Sequence, residues 1–248
     1  MDDTVEAGDK LLRLVETLKE HGPSGVTELA DRADMPKSTA HAYLSTLKEH
    51  GYVVQTDSRA YRLSLRFVDI GSKVRETREL YDEIRAKLDE ISEETNEKAW
   101  WTVEENGKAV FMAKSAGKRA IQTNARIGLH LELYRLAAGM AILANLPAER
   151  RVDILDGYEY PLPDGRTRAD LESELETVRE TGVAYGTDSF LEGVTGIGVP
   201  LLDNAGTVHG AISVSGPSNR LEDDRNEQEL TDLLRGISGE LQVNFSYR

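Results

Sequence analysis

Polar and basic side chains repeat along one face of a predicted helix around residue 40. Lys37, His41 and Ser45 are four positions apart, and Ser38 and Lys48 fall beside them, so all five share one helix face. Such a helix suits a DNA groove, because its N-terminal N–H groups meet phosphate and its short polar side chains reach base edges. A solvent-exposed helix face shows the same polarity, so this pattern alone leaves both interpretations open.

Two serines near the C-terminus alternate with apolar residues. Ser213 and Ser215 are separated by Val214, and Ile212 precedes them. On a β-strand this alternation puts both hydroxyls on one face and the apolar side chains on the other. Two hydroxyls that face a pocket are suitable donors for a carboxylate or a hydroxy compound. The alternative is the solvent-facing side of an edge strand.

The chain lacks the residues that several kinds of enzyme and cofactor site require. There is no cysteine, which excludes thiolate metal sites, Fe–S clusters and cysteine nucleophiles. The five histidines are scattered without the helical spacing of metal ligands. The glycines of segment 193–198 match no common nucleotide fingerprint, and no nucleophile elbow is present. We therefore expect no metal, no cofactor and no enzymatic activity.

The charge balance is strongly acidic. Of the 248 residues, 44 are acidic and 30 are basic, which gives a net charge of −14. Lysine is scarce, with 10 residues against 20 arginines. A salt-rich cytoplasm favours such a carboxylate-rich surface, and we expect a halophilic archaeal source; the alternative is an ordinary acidic bacterial protein. In segment 36–62, however, four basic residues outnumber two acidic ones, which favours a polyanion partner.

The composition also bears on the location of the protein. Hydrophobic residues make up 39% of the chain, enough for a globular core. No stretch approaches the roughly eighteen apolar residues of a membrane-spanning helix, and the acidic N-terminus carries no secretory signal. We therefore expect a cytoplasmic protein without a membrane partner.

Three short helices and a hairpin are predicted in the first 64 residues. The helices cover residues 9–19, 27–33 and 36–50, with a corner at Asp34 and a stop at Gly51. Pro36 is expected as the first residue of the third helix. The alternating runs 52–55 and 60–63 form the hairpin, which carries Arg59 and Arg62. This order is that of a winged helix-turn-helix.

Apolar residues recur at helical steps from Phe67 to Ile91, with an interruption between Arg75 and Glu79. One interpretation is a continuous amphipathic helix that pairs with its twin in a coiled coil. The other is a linker helix near residues 65–76 followed by a separate helix near 79–95, which the interruption favours.

The remainder of the chain mixes short strands with helices. Strands are predicted at 98–103, 109–113, 120–123, 183–186, 196–202 and 207–215, and helices at 133–146, 148–155, 170–181 and 222–245. Hairpin turns at 105–107 and 203–206 join neighbouring strands, and regular βαβ alternation is absent. The pattern predicts an α+β domain with an antiparallel sheet and flanking helices.

Short motifs in both halves carry a family resemblance. They are Glu-Leu-Ala at 28–30, Pro-Lys-Ser-Thr at 36–39, His41, the Leu44–Val53 pattern that ends in Gly-Tyr-Val, Tyr-Arg-Leu-Ser-Leu-Arg at 61–66, Leu-Ala-Ala-Gly-Met-Ala at 136–141 and Ala-Ile-Ser-Val-Ser-Gly-Pro at 211–217. The first motifs resemble the DNA-binding domain of the IclR family of transcriptional regulators. The last two resemble the effector-binding domain of that family, which is related to GAF and PAS sensors.

The chain departs from the family pattern at several positions. Asp34 stands where the family usually has glycine, and because aspartate tolerates left-handed geometry we expect the turn to be kept. Ala42 replaces a common arginine, which removes a contact to DNA. Tyr134 stands where the family usually has histidine, and Gly196 where it often has cysteine.

The resemblance implies a winged helix-turn-helix in residues 1–64, a linker helix in 65–78 and an effector-binding domain in 79–248. It implies operator DNA contacts by Lys37, Ser38, Thr39, His41, Ser45, Arg59 and Arg62. It implies an effector cavity lined by Ala137, Ala138, Gly139, Val194, Gly196, Ser213 and Ser215, with Asp188 on a covering loop. Backbone N–H groups near Gly196 are expected as further donors.

The partners that follow are double-stranded operator DNA and a small-molecule effector, which is an organic acid, a sugar acid or an aromatic acid. A homodimer is expected, or a tetramer of two dimers, because two-fold pairing doubles the DNA contacts. The alternative function is a metabolite-binding or hydrolytic GAF-like enzyme with an accessory DNA-binding domain.

Overall fold

A computed structural model describes residues 5–187, 192–221 and 224–246. The chain divides into two units, Met1–Arg78 and Glu79–Arg248. The first unit is mainly helical, and the second is built around one antiparallel sheet.

The first unit contains three helices and a two-stranded hairpin. They are α1 (Glu6–His21), α2 (Val26–Arg32), α3 (Lys37–Glu49), β1 (Val53–Gln55) and β2 (Tyr61–Leu63). Leu14, Leu29 and Leu44 are fully buried in a common core, because each helix turns one apolar stripe inward. The predicted winged helix-turn-helix is confirmed.

Two residues shape the corner before α3. Asp34 has a φ of 48°, so it keeps the turn in the left-handed region, as predicted. Pro36 has a ψ of 141° and is the capping residue of α3. The prediction that Pro36 is the first helical residue is therefore wrong by one position, because its extended ψ lets the helix begin only at Lys37.

The linker region contains two separate helices. They are α4 (Arg66–Glu76) and α5 (Tyr81–Thr95). Leu80 between them has a φ of 54°, a conformation that a continuous right-handed helix does not contain. The two-helix interpretation is confirmed and the continuous coiled coil is wrong, because Arg75 to Glu79 offers no apolar side chain to bury.

A six-stranded antiparallel sheet forms the centre of the second unit. Its strands are β3 (Lys98–Glu105), β4 (Lys108–Ala116), β5 (His130–Glu132), β6 (Ala184–Thr187), β7 (Val194–Leu202) and β8 (Val208–Pro217). Their order across the sheet is β5-β4-β3-β8-β7-β6. Asn106 and Gly107 have φ values of 52° and 79° in the turn between β3 and β4, as a type I′ hairpin requires. The predicted antiparallel α+β fold is confirmed.

Residues 120–123 do not form the predicted strand. The edge position beside β4 is taken by β5, where His130 pairs with Val110. A run of four residues, two apolar followed by two polar, does not distinguish a strand from an extended connection. This connection instead brings Thr123 to the side chain of Lys98.

Helices cover both faces of the sheet. Helices α5 and α10 (Asp224–Ser246) pack on the face that carries Trp101, Ile212 and Val214. Helix α6 (Ala137–Asn145) packs on the opposite face, and α8 (Arg168–Thr181) packs against α6. The remaining helices are α7 (Ala148–Asp156) and α9 (Ser218–Leu221). The predicted helix at 133–146 begins later than expected, because Leu133–Arg135 form a single 3₁₀ turn.

Candidate DNA-binding face and ligand cavity

Helix α3 exposes the polar face that the sequence suggests for DNA contact. The exposed side chains are Lys37, Ser38, His41 and Ser45, and Thr39 is half-buried. Leu44 on the other side of the helix is fully buried. Its burial fixes the rotation of α3 about its own axis, so the polar side chains point away from the core.

The hairpin adds two cations. Arg59 lies at its tip with a φ of 62°, and Arg62 is exposed opposite Val54. Within the described part of the chain, no carboxylate lies within ion-pair distance of Lys37, Arg59 or Arg62. These three cations are therefore available to phosphate groups.

Polar contacts fix α3 against the hairpin. Lys48 Nζ donates a hydrogen bond of 3.0 Å to Oε1 of Gln55 in β1. Arg66 donates one of 3.1 Å to the carbonyl oxygen of His50, and its guanidinium carbon lies 4.8 Å from the ring centre of Tyr52. We call the polar side of α3, together with Arg59 and Arg62 of the hairpin, the DNA-binding face.

A cavity lies on the side of the sheet that α6 covers. Its volume is about 70 Å³. We call it the ligand cavity, and it is bounded by strands β3, β4, β6, β7 and β8, the 3₁₀ turn and start of α6, and the connection after β4. The lining residues are Trp100, Phe111, Thr123, Ala125, Arg135, Leu136, Ala137, Ala138, Gly186, Val194, Thr195, Gly196, Ser213 and Ser215.

The structure brings together most of the residues expected around an effector. Ala137, Ala138, Val194, Gly196, Ser213 and Ser215 all line the ligand cavity. Gly139 does not line it, because a Cβ there would lie 2.1 Å from the carbonyl oxygen of Leu133. This glycine therefore lets α6 pack against the 3₁₀ turn before it. Asp188 lies outside the described residues.

The two serines occupy the middle of the sheet. β8 lies between β3 and β7, so the interpretation of an edge strand facing solvent is wrong. Ser213 is buried, and Ser215 is half-buried. Trp100 Nε1 donates a hydrogen bond of 3.1 Å to Oγ of Ser215, which leaves the serine proton free to point elsewhere.

Gly196 contributes space to the cavity. It pairs with Ser215 in β8 on one side and with Gly186 in β6 on the other. Its backbone groups therefore lie within the hydrogen-bonded sheet, and the expected backbone donors near Gly196 are not directed into the cavity. A Cβ at this position would meet only ordinary contacts, the nearest being 3.4 Å from the carbonyl oxygen of Val214.

Several lining residues were not predicted from the sequence. Trp100 and Phe111 form an aromatic wall, with ring centres 4.4 Å apart. The adjacent Trp100 and Trp101 face opposite sides of the sheet, and the sequence does not indicate which side holds a cavity. Arg135 adds a cation to the lining, and the signal for it is a charged residue directly before the apolar helix α6.

The described part of the cavity wall has no negative charge, since hydroxyls, a cation and apolar groups supply its lining. No cluster of three or more histidine, aspartate or glutamate side chains arranged to hold a metal occurs among the described residues. In the same part of the chain, no helix combines the length and apolar character that crossing a bilayer needs.

Comparisons with known proteins match both halves of the chain. Residues 72–242 match the family model described as bacterial transcriptional regulator IclR C-terminal, and residues 8–57 match the IclR helix-turn-helix domain. The protein named "Probable HTH-type transcriptional regulator ArcR" of Halobacterium salinarum is 29% identical over 239 residues, which cover 94% of this chain and 90% of that protein. The HTH-type transcriptional regulator KdgR of Escherichia coli is 29% identical over 249 residues, which cover 99% and 94% of the two chains.

Solved structures share the architecture. The IclR structure of Thermotoga maritima has a TM-score of 0.76 at 27% identity and covers 96% of this chain and 97% of its own. An IclR homologue of Microbacterium hydrocarbonoxydans complexed with 4-hydroxybenzoate has a TM-score of 0.79 at 18% identity, with 96% and 98% covered, and so shares the fold. The two curated relatives are named as HTH-type transcriptional regulators. Because the two family models together span most of its length, the chain belongs to the IclR family of transcriptional regulators.

Proposed function

We propose that this regulator binds operator DNA through the DNA-binding face and that a small organic acid in the ligand cavity changes its DNA affinity. Residues 1–64 then form the DNA-binding domain, 65–78 the linker and 79–248 the effector-binding domain. The observation that carries the proposal is the ligand cavity, where two serine hydroxyls, Arg135 and an aromatic wall converge. Control of a catabolic operon is the role that fits a sensor of this kind.

The size of the cavity favours a short acid. About 10–15 Å³ holds one water-sized group, so a volume of about 70 Å³ suits a ligand of roughly five to seven non-hydrogen atoms. A three- or four-carbon organic acid has that size, whereas sugar acids and aromatic acids are larger. The homologue complexed with 4-hydroxybenzoate makes an aromatic acid the comparison to include.

The charge of the cavity favours an anion. The second unit is acidic overall, and long-range attraction therefore does not bring an anion to it. Arg135 places a positive charge in the lining and the serine hydroxyls offer local donors, and hydrogen bonds to a charged group are the stronger ones.

A homodimer fits the exposed apolar side chains of the first unit. Leu65, Val68 and Val74 are 77%, 62% and 54% exposed on or beside α4. Such side chains on a helix without any buried residue favour a second copy of the chain as their partner. Sedimentation of the wild type is expected to give a dimer or a tetramer, and a stable monomer would contradict this.

The experiment that separates a regulator from an enzyme uses DNA from the region upstream of the gene. The purified protein is expected to shift that DNA and to leave propionate, malonate and benzoate chemically unchanged. Turnover of one of these acids without a DNA shift would instead support the metabolite-processing alternative. A cytoplasmic location follows from the proposal, because that is where the operator would be.

A further inference from the structure

Lys98 is a buried cation beside the ligand cavity. It lies on β3 two positions before Trp100, so both side chains are on the face that α6 covers. Lys98 is only 7% exposed. A lysine is rarely buried to this extent unless an anion or several polar groups offset the loss of hydration.

The described residues offer Lys98 little compensation. Its Nζ donates one hydrogen bond of 3.2 Å to Oγ1 of Thr123. No carboxylate among residues 5–187, 192–221 and 224–246 lies within ion-pair distance of it. Burial lowers the pKa of Lys98, and the positive charge of Lys114 lowers it further.

Both lysines converge on the aromatic wall of the cavity. The Nζ atoms of Lys98 and Lys114 each lie 5.8 Å from the ring centre of Trp100. Trp100 and Thr123 themselves line the ligand cavity. Ser215, the strand partner of Lys98 on β8, lines it as well. Neither lysine is itself a lining residue, but both positive charges lie next to Trp100, and Lys98 also contacts Thr123, at one end of the cavity.

We propose that Lys98 and Lys114 form a carboxylate subsite at the Trp100–Thr123 end of the ligand cavity. The carboxylate of the effector supplies the counter-charge that the described residues do not give Lys98, and the apolar body of the effector packs against Trp100 and Phe111. This inference rests on the proposed function and adds to it the side chains that select a negative charge. Arg135 and the serines then contact the rest of the ligand.

A structural role for Lys98 makes a different prediction. The methylene stem of a lysine packs well against an aromatic ring, so Lys98 would in that case serve as a cover for Trp100. Methionine keeps an unbranched apolar stem and removes the charge. The variant Lys98→Met therefore preserves the packing role and removes only the proposed recognition of charge.

The test is calorimetric titration of the full-length protein with two matched pairs of probes, propionate with propionamide and malonate with malonamide. Lys98→Met is expected to bind the carboxylates roughly tenfold or more weakly than the wild type, because it loses a charge-assisted contact. Lys114→Met is expected to lose less, because Lys114 is exposed. The affinity of either variant for the amides is expected to stay within about twofold of the wild type, because an amide carries no charge to pair.

Lys73→Met, at an exposed lysine of α4, removes the same charge and is expected to leave carboxylate affinity unchanged. Lys98→Gln repeats the test with a polar replacement. If the wild type binds the carboxylates and both Lys98 variants bind them equally well, the subsite is wrong and the proposed function stands. If the wild type binds neither propionate nor malonate, the proposed short-acid effector is wrong and the subsite is rejected with it.

Discussion

The indole Nε1 of Trp100 donates a hydrogen bond of 3.1 Å to Oγ of Ser215 on the neighbouring strand. This bond links the aromatic wall of the ligand cavity to one of its two hydroxyls. It orients the Trp100 ring and uses an acceptor site of Ser215, so the serine proton can be offered to a ligand. Ser213, also on the cavity face of β8, lines the same cavity. It is therefore the position with which substitutions of Ser215 are compared.

Removal of the Ser215 hydroxyl therefore has two consequences. Ser215→Ala is expected to lower the free energy of unfolding by about 1–3 kcal/mol, because the Trp100 N–H loses its partner. Both Ser215→Ala and Ser213→Ala are expected to weaken binding of malonate by about 1–3 kcal/mol, because its second carboxylate loses a hydroxyl donor. DNA affinity without ligand should hardly change. Denaturant unfolding and calorimetry measure the two effects, and unchanged acid binding by both variants would remove the serines from the site.

Two glycines of β7 are expected to respond differently to the same substitution. A Cβ at Gly198 would lie 2.7 Å from the backbone nitrogen of Ala138, so Gly198→Ala forces α6 away and should cost roughly 1–3 kcal/mol. At Gly196 the nearest atom is 3.4 Å away, so Gly196→Ala should be neutral or slightly stabilising. Urea unfolding of both variants checks this. Equal losses of unfolding free energy in the two variants would mean that Gly196, like Gly198, is needed for close packing and does not provide space for a ligand.

The charge of Lys98 should reduce stability in the absence of ligand. Burial and Lys114 lower its folded-state pKa below the ordinary lysine value of 10.5, so below that pH the unfolded chain binds more protons at this residue. Stability of the wild type relative to Lys98→Met should therefore be lower near pH 7 and should recover as the pH rises toward 10.5. Thermal unfolding of both proteins at pH 7 and near pH 10 measures the difference. A wild type that is the more stable protein at pH 7 would contradict an uncompensated charge.

On the DNA-binding face, Lys37 is expected to contribute most directly. Lys37→Ala should weaken operator binding by roughly 1–3 kcal/mol if the side chain contacts a base, and by less if it contacts only phosphate. Lys19→Ala removes the same charge from an exposed position on α1, where Lys19 pairs with Glu16, and should have little effect. Anisotropy titration on the upstream DNA compares them. A Lys37→Ala/Arg62→Ala double variant that footprints like the wild type would show that another face binds DNA.

The sequence predicts only those residues of the site that belong to a local sequence pattern. The alternation around Ser213 and Ser215 predicts their common face, and the family motifs indicate that this face is lined by Ala137 and Gly196. Trp100 lines the cavity and Lys98 lies beside it because β3 pairs with β8. This contact joins distant segments, and no local period reveals it. Gly139 matches the family motif because it allows α6 to pack against the preceding 3₁₀ turn. A motif alone does not show whether such a glycine serves packing or ligand binding.

The prediction of a strand at 120–123 fails for a related reason. Whether an extended segment joins a sheet depends on which strand edge is open, and β5 occupies the edge of β4. By contrast, the break between α4 and α5 is predicted correctly, because the charged run from Arg75 to Glu79 is a local property of the chain.

Occupancy of the ligand cavity is expected to change DNA affinity, and a titration of labelled DNA measures this change. Labelled upstream DNA is titrated with the wild type in the absence and presence of saturating propionate, and then with Gly196→Leu, whose side chain is expected to fill the cavity. We predict that propionate changes the DNA dissociation constant of the wild type by about fivefold or more and leaves that of Gly196→Leu unchanged. An equal dissociation constant for the wild type with and without propionate, under conditions where calorimetry shows the acid bound, would contradict the account.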